Sequence, residues 1–225
     1  MPAFISLVIF AYLLGAIPFA LIIGRITRGI DIRQHGSGNV GATNALRVIG
    51  VKAGLLCFFL DFTKGLVPTL AAVMMFREPL EIGPTVSVPL QHLLVGIAAV
   101  VGHCFPVYLL SLGGKGVATS IGVFMALMPL PVLICIVSGL AFIYLTGYVA
   151  IASCLFTSLL PFLGWLFGYS PEYIVVTAVL ALVIDLRHIG NIKRFFRGVE
   201  PRIWDKAKAP AVDHGVGKNQ PADQG

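Results

Sequence analysis

The sequence predicts an all-α polytopic membrane protein, and three observations carry that expectation. The chain has 225 residues, of which 57% are hydrophobic and only 12% charged, with a mean hydropathy of +0.92, beyond what an ordinary soluble domain of this length carries. Apolar stretches of helical length recur from the first residues to about Leu186. No run of short alternating strands appears, so helices are favoured over an outer-membrane barrel. Residues 1–208 are expected to form a single integral membrane domain. The tail 209–225, rich in Ala, Pro, Gly, Gln and Asp with little to bury, is expected to be disordered.

The first span reads as Phe4 to Gly24. No basic residue precedes it and no small-residue cleavage pattern follows a short core, so it is expected to stay in the membrane rather than be removed as a signal. Arg25, Arg28, Arg33, Arg47 and Lys52 then face one acid, Asp31, which makes this loop cytoplasmic and the N-terminus external. Ala53 to Phe76 carries the chain outward to a connection containing Glu78 and Glu81, and Pro89 to Leu110 brings it back. At the far end Arg187, Lys193, Arg194, Arg197, Arg202, Lys206 and Lys208 mark a second cytoplasmic segment. Between Lys115 and Arg187 the crossings must therefore be even in number.

Four apolar pieces are available there: Val117 to Met128, Pro131 to Thr146, Tyr148 to Phe167 and Pro171 to Leu186. Pro129 with Pro131, Gly147, and the Gly168 to Pro171 stretch separate them. The total is seven transmembrane helices, N-terminus outside and C-terminus cytoplasmic. The piece at Val117 is about 18 Å long as a helix against a hydrocarbon core of about 30 Å, so it needs protein neighbours or a thinned bilayer. If two pieces fuse or dip, five spans keep the same parity.

Three polar islands share the cytoplasmic side. The first, His35 to Arg47, has Gly36, Gly38 and Gly41 leaving backbone amides open to an anion. Ser37, Asn39, Thr43 and Asn44 add neutral hydrogen-bonding groups, and Arg47 adds a cation suited to bidentate phosphate contact. The second, Gly113-Gly114-Lys115-Gly116-Val117-Ala118-Thr119-Ser120, opens a helix whose free amides and dipole face an anion beside the Lys115 charge. It is not an ATP-binding P-loop, because Gly116 stands where that motif requires Ser or Thr. In the third, His188 and Asn191 are three apart on one helical face. His188 fits either a general base or a phosphate contact. Arg194, Arg197, Arg202 and Lys208 read as orienting and lipid-headgroup charges.

Asp61 and Lys64, placed near the start of the second span, have the spacing of a local, structural ion pair, and His103 belongs near the cytoplasmic mouth. Cys57, Cys104, Cys135 and Cys154 are scattered singly and read as core or lipid-facing residues, with no metal or redox spacing. The net charge of +6 sits in loops flanking the spans, which argues for orientation in a bilayer rather than for nucleic acid.

Gly36–Asn44 (Gly-Ser-Gly-Asn-Val-Gly-Ala-Thr-Asn), Gly113–Thr119 and His188–Arg194 together resemble the three signature motifs, in order, of the bacterial membrane glycerol-3-phosphate acyltransferases that use acyl phosphate. Asp61 to Gly65 and Gly102 to Pro106 look familial as well, and the resemblance runs from the first span to about Glu200. It implies transfer of a fatty acyl group from acyl phosphate to the 1-hydroxyl of glycerol 3-phosphate, giving lysophosphatidic acid and phosphate at the cytoplasmic face of the bacterial inner membrane. No cofactor, no metal and no ATP are expected. The His-x4-Asp pair of acyl-CoA-dependent enzymes is absent from the sequence.

On this reading Ser37, the amides near Gly38, Asn39 and Gly41, and Lys115 hold one phosphate, and Arg47, His188 and Asn191 hold glycerol phosphate. Thr43, Asn44, Gly114, Gly116 and Thr119 complete the expected substrate-binding set, with Ser37, Lys115 and His188 as the catalytic candidates. The leaving phosphate can take the hydroxyl proton, so no covalent enzyme intermediate is needed. The alternative class is a helical transporter of a phosphorylated anion, which would place its polar site near the midplane and often carry an internal repeat.

Overall fold

The computed structural model describes residues 1–81, 84–109 and 113–205. The tail 209–225, Lys206, Lys208, His214 and the end of the third expected span at Leu110 lie outside the described residues. Within the described residues the chain forms α1 (Pro2–Ala16), α2 (Phe19–Arg28), α3 (Ala42–Val48), α4 (Val51–Met75), α5 (Val88–Cys104), α6 (Val117–Leu127), α7 (Pro129–Thr146), α8 (Val149–Leu166), α9 (Pro171–Arg187) and α10 (Ile189–Phe196). A short hairpin, β1 (Leu80–Glu81) with β2 (Thr85–Val86), joins α4 to α5 and adds a small antiparallel element to the expected all-α fold.

Each apolar segment read from the sequence contains at least one helix. Prolines set several starts, at the first helical position of α7 and α9 and the second of α5, where a missing N–H costs nothing. Gly147 ends α7 in the left-handed conformation that an L side chain resists. The first expected span is two helices, because Pro18 cannot continue the ladder of α1. The third stops at Cys104, six residues before the expected Leu110, because Pro106 forces Phe105 out of the helical region.

Among the described residues four stretches are long and apolar enough to cross a bilayer: Pro2–Arg28, Val51–Met75, Pro129–Thr146 and Val149–Leu166. Counting α9 and α10, which bend by 59°, as one unit makes five. The helices α5 and α6 are apolar but have 17 and 11 residues. The chain is thus an all-α integral membrane protein, with its outward surface carrying large apolar side chains such as Ile9, Phe59, Val137, Tyr144 and Leu182.

The short α6 is wrapped by protein. Its residues from Thr119 to Phe124 are buried, and it packs most extensively on α4. Glycines make that approach possible: a Cβ on Gly122 would stand 2.0 Å from the Phe62 carbonyl oxygen, and one on Gly65 would stand 2.2 Å from that of Thr119. The α1–α5 pair uses the same device, with Gly15 against Ala99 and Gly102 against Tyr12. In a bilayer, where hydrocarbon does not drive helices together, such close backbone contact is a main source of association. Phe124, Met128, Val132 and Leu160 then fill the core between α6, α7 and α8.

Candidate active site

The three polar islands converge on one cavity of about 1040 Å³. From the first island Ser37, Asn39, Gly41, Thr43, Asn44 and Arg47 reach it; from the second, Lys115 and Gly116; from the third, His188 and Asn191. Phe58 on α4, Val117 and Ala118 on α6, and Val149 and Ala150 on α8 give it an apolar side. The cavity therefore offers polar and hydrocarbon-compatible walls together.

The first island keeps its shape through Asn44. Its Oδ1 accepts from the Ser37 amide at 3.0 Å, and its Nδ2 donates to the carbonyls of Ile32, His35 and Asn39 at 3.0–3.2 Å. Those bonds occupy the amide, so Asn44 organises the loop rather than offering a free ligand group, contrary to the sequence expectation. Ser37 and Thr43 stay available at the surface of the cavity. Arg47, on α3, donates from Nη2 to the Pro201 carbonyl at 2.8 Å, and its Nε is buried without a hydrogen-bond partner. Burial pulls the guanidinium below its usual pKa, although an arginine stays protonated.

The second island presents the N-terminus of α6. Gly116 caps it with φ +96°, and Val117 and Ala118 in its first turn line the cavity. Their amides have no acceptor within the helix, so the dipole end faces the cavity. Lys115 precedes it and donates from Nζ to Asn191 Oδ1. Burial, more than any neighbour, holds its ammonium down at about 8. In the third island His188 sits at the bend between α9 and α10. Its Nδ1 is 2.9 Å from the Ile184 carbonyl, which only accepts, so Nδ1 carries a proton and Nε2 is left for a ligand.

Three expected ligands do not reach the cavity. Thr119 is fully buried on the α4 side of α6, against Gly65. Gly114 lies against the His103 ring, where a Cβ would stand 2.0 Å from Nε2. Gly38, with φ +70°, serves the turn of its loop close to the Arg33 carbonyl.

Other residues do reach it. Asp61 and His103 line the cavity, with Asp61 Oδ1 2.8 Å from Lys64 Nζ and 3.5 Å from His103 Nδ1, and Lys64 Nζ donates to the Ile17 carbonyl freed at the α1–α2 break. The helix α4 begins at Val51, so this pair lies about 15 Å along it rather than near its start. Arg194 pairs with Glu200 at 2.8 Å on the cavity wall, a local role beyond that of an orienting charge. The signal for Glu200 in the sequence was an acid isolated among Arg194, Arg197 and Arg202.

The acids at the cavity are therefore occupied: Asp61 by Lys64 and His103, Glu200 by Arg194, and Asp205 by the Arg202 amide at 2.7 Å. Among the described residues, Arg47 and Lys115 have no carboxylate within ion-pair distance. Two cations with neutral partners are left facing a cavity, an arrangement that selects an anion.

Comparison with known proteins agrees with this chemistry. The family model described as glycerol-3-phosphate acyltransferase matches residues 5–198. The glycerol-3-phosphate acyltransferases of Bacillus velezensis and Bacillus subtilis are 43% and 41% identical over 197 residues, covering 88% of this chain and 96% of theirs. The crystal structure of PlsY (YgiH), an integral membrane glycerol 3-phosphate acyltransferase, in its glycerol 3-phosphate form superposes with a TM-score of 0.81 at 39% identity, covering 89% of this chain and 95% of that one. Its lysophosphatidic acid form gives 0.78 at 38% identity, with the same coverage. With its motifs gathered on one anion-selecting cavity and these similarities running over most of its length, the chain belongs to the glycerol-3-phosphate acyltransferase family.

Proposed function

We propose that the protein transfers a fatty acyl group from acyl phosphate to the 1-hydroxyl of glycerol 3-phosphate, releasing lysophosphatidic acid and inorganic phosphate. Acylation of glycerol 3-phosphate to lysophosphatidic acid follows from family membership. The observation that carries the rest is the pair of un-neutralised cations, Arg47 and Lys115, in a cavity that is also lined by the apolar Phe58, Val149 and Ala150. Two phosphate-bearing substrates, one of them a lipid, fit that division.

In this mechanism Lys115, Ser37 and the α6 N-terminus hold the acyl phosphate, while Arg47, His188 and Asn191 hold glycerol 3-phosphate. The 1-hydroxyl oxygen attacks the acyl carbonyl carbon, the acyl carbon–oxygen bond to phosphate breaks, and the departing phosphate takes the hydroxyl proton. An acyl phosphate is already activated, so alignment and charge neutralisation supply the catalysis and no protein base or covalent intermediate is required.

The same reading gives seven crossings, with the N-terminus outside, the C-terminus and the cavity facing the cytoplasm of the bacterial inner membrane, and residues 1–208 as one domain. The basic loops between Arg25 and Lys52 and after Arg187 support that orientation, and the burial of α6 relieves its short length. The test supplies purified protein with glycerol 3-phosphate and, separately, acyl phosphate, acyl-CoA or acylated carrier protein. Lysophosphatidic acid is expected with acyl phosphate alone. Product from a thioester in the absence of acyl phosphate would overturn the donor assignment.

A further inference from the structure

Glu200, so far only the ion-pair partner of Arg194, stands just beyond the residues 5–198 that the family model matches. Its side chain is 1% exposed, yet it lines the cavity. Oε1 accepts from Asn191 Nδ2 at 2.7 Å, and Oε2 accepts from Arg194 Nε at 2.8 Å. Asn191 turns its other end toward Lys115, whose Nζ donates to Oδ1. A carboxylate only accepts and an ammonium only donates, so the amide held between them has a single permitted orientation.

We propose that Glu200 is a positioning residue that, by fixing the Asn191 amide, aims the Lys115 ammonium at the substrate phosphate. The interposed amide matters. Direct contact between Glu200 and Lys115 would cancel the charge the phosphate needs, whereas a neutral carbonyl acceptor orients Nζ and leaves that charge in place. The carboxylate spends its own charge on Arg194 instead, and the chain after it is tied down by the Arg47 bond to the Pro201 carbonyl.

This inference rests on the assignment of Lys115 as a phosphate ligand, and a pH profile separates the two. Lys115 is faced by Glu200 from beyond α10, Arg194 on α10, Arg187 and His188 at the end of α9, and Cys154 on α8. Burial lowers its pKa to about 8, Glu200 draws it upward, and Arg194 and Arg187 press it down. Loss of the proton removes the charge that binds phosphate. In the wild type kcat/KM for glycerol 3-phosphate is therefore expected to fall as pH rises through about 8.

Glu200→Gln keeps the shape and removes the charge, so that fall should move down by on the order of one pH unit, with KM rising more than kcat falls. Glu200→Asp keeps the charge on a shorter side chain: KM should rise while the fall stays where the wild type has it. An unmoved profile in Glu200→Gln, or variants that lose thermal stability with KM unchanged, would overturn the positioning role. A wild-type profile flat across that range would instead overturn the assignment of Lys115 itself.

Discussion

His188 and Lys115 differ in what they bring to the cavity. Lys115 brings charge, whereas His188 brings a ring whose Nδ1 is committed to the Ile184 carbonyl and whose Nε2 is free. If the departing phosphate carries the proton, His188 is a ligand and not a base. Replacing it by Asn or Gln should then raise KM for glycerol 3-phosphate about tenfold or more and leave kcat at saturation within about tenfold. A fall in saturated kcat of the 10²–10⁴ size that general bases contribute would assign it the proton instead. The sequence made Ser37, Arg47, Lys115, His188 and Asn191 legible because polar groups in an apolar chain need a reason to exist. It did not reveal that Asn44 spends its amide on its own loop or that Thr119 turns toward α4. Residue type and spacing leave such orientations open, and tertiary packing decides them. For Glu200 the sequence offered only an acid among Arg194, Arg197 and Arg202; its burial and its bond to Asn191 are set by packing.

At the level of elements, glycine governs how near the helices stand. Gly65 and Gly122 bring the backbones of α4 and α6 together, and α6 in turn carries Gly116 and its free amides to the cavity. A side chain at Gly122 would push α6 away and move Lys115 with it. Gly122→Val is expected to cost about 1–3 kcal/mol of stability, visible as a lower melting temperature in detergent, with activity falling further than the stability change accounts for. Unchanged melting would mean that the contact is looser than the 2.0 Å clearance implies. The boundaries of α7, α8 and α9 were legible to within a residue or two because Pro129, Gly147 and Pro171 punctuate them. The β1–β2 hairpin was not, since two residues per strand make no periodic pattern. The early end of α5 at Cys104 follows from Pro106, two residues on.

Across the whole molecule, three islands spread along the chain from His35 to Glu200 close around one cavity. The tie between Arg47 and the Pro201 carbonyl spans 154 residues, and the Ile203 amide bonds the Gly147 carbonyl at 2.8 Å, so the chain beyond α10 is fastened to α3 and to the end of α7. Sequence order and charge made that convergence foreseeable as a shared face, while the contacts that complete it needed three dimensions. The proposed orientation is tested with the four native cysteines replaced and single cysteines set at Ala3 and Arg202. A membrane-impermeant thiol reagent should label the first in intact spheroplasts and the second only after permeabilisation. The reverse pattern would invert the molecule in the bilayer.

The pairing of Asp61 with Lys64 has a bearing on biogenesis. Both charges belong to one helix, three residues apart and 2.8 Å from each other, and their distant partners are an upstream carbonyl at Ile17 and a downstream ring at His103. Lateral release into lipid of a lone acid or a lone base at that depth would be strongly resisted. A helix carrying its own counter-ion can leave the insertion machinery with these two interior charges cancelled and only Lys52 remaining at its end, meet the first span through Ile17, and wait for His103 to arrive. The order in which the chain is made thus matches the order in which each new partner is needed.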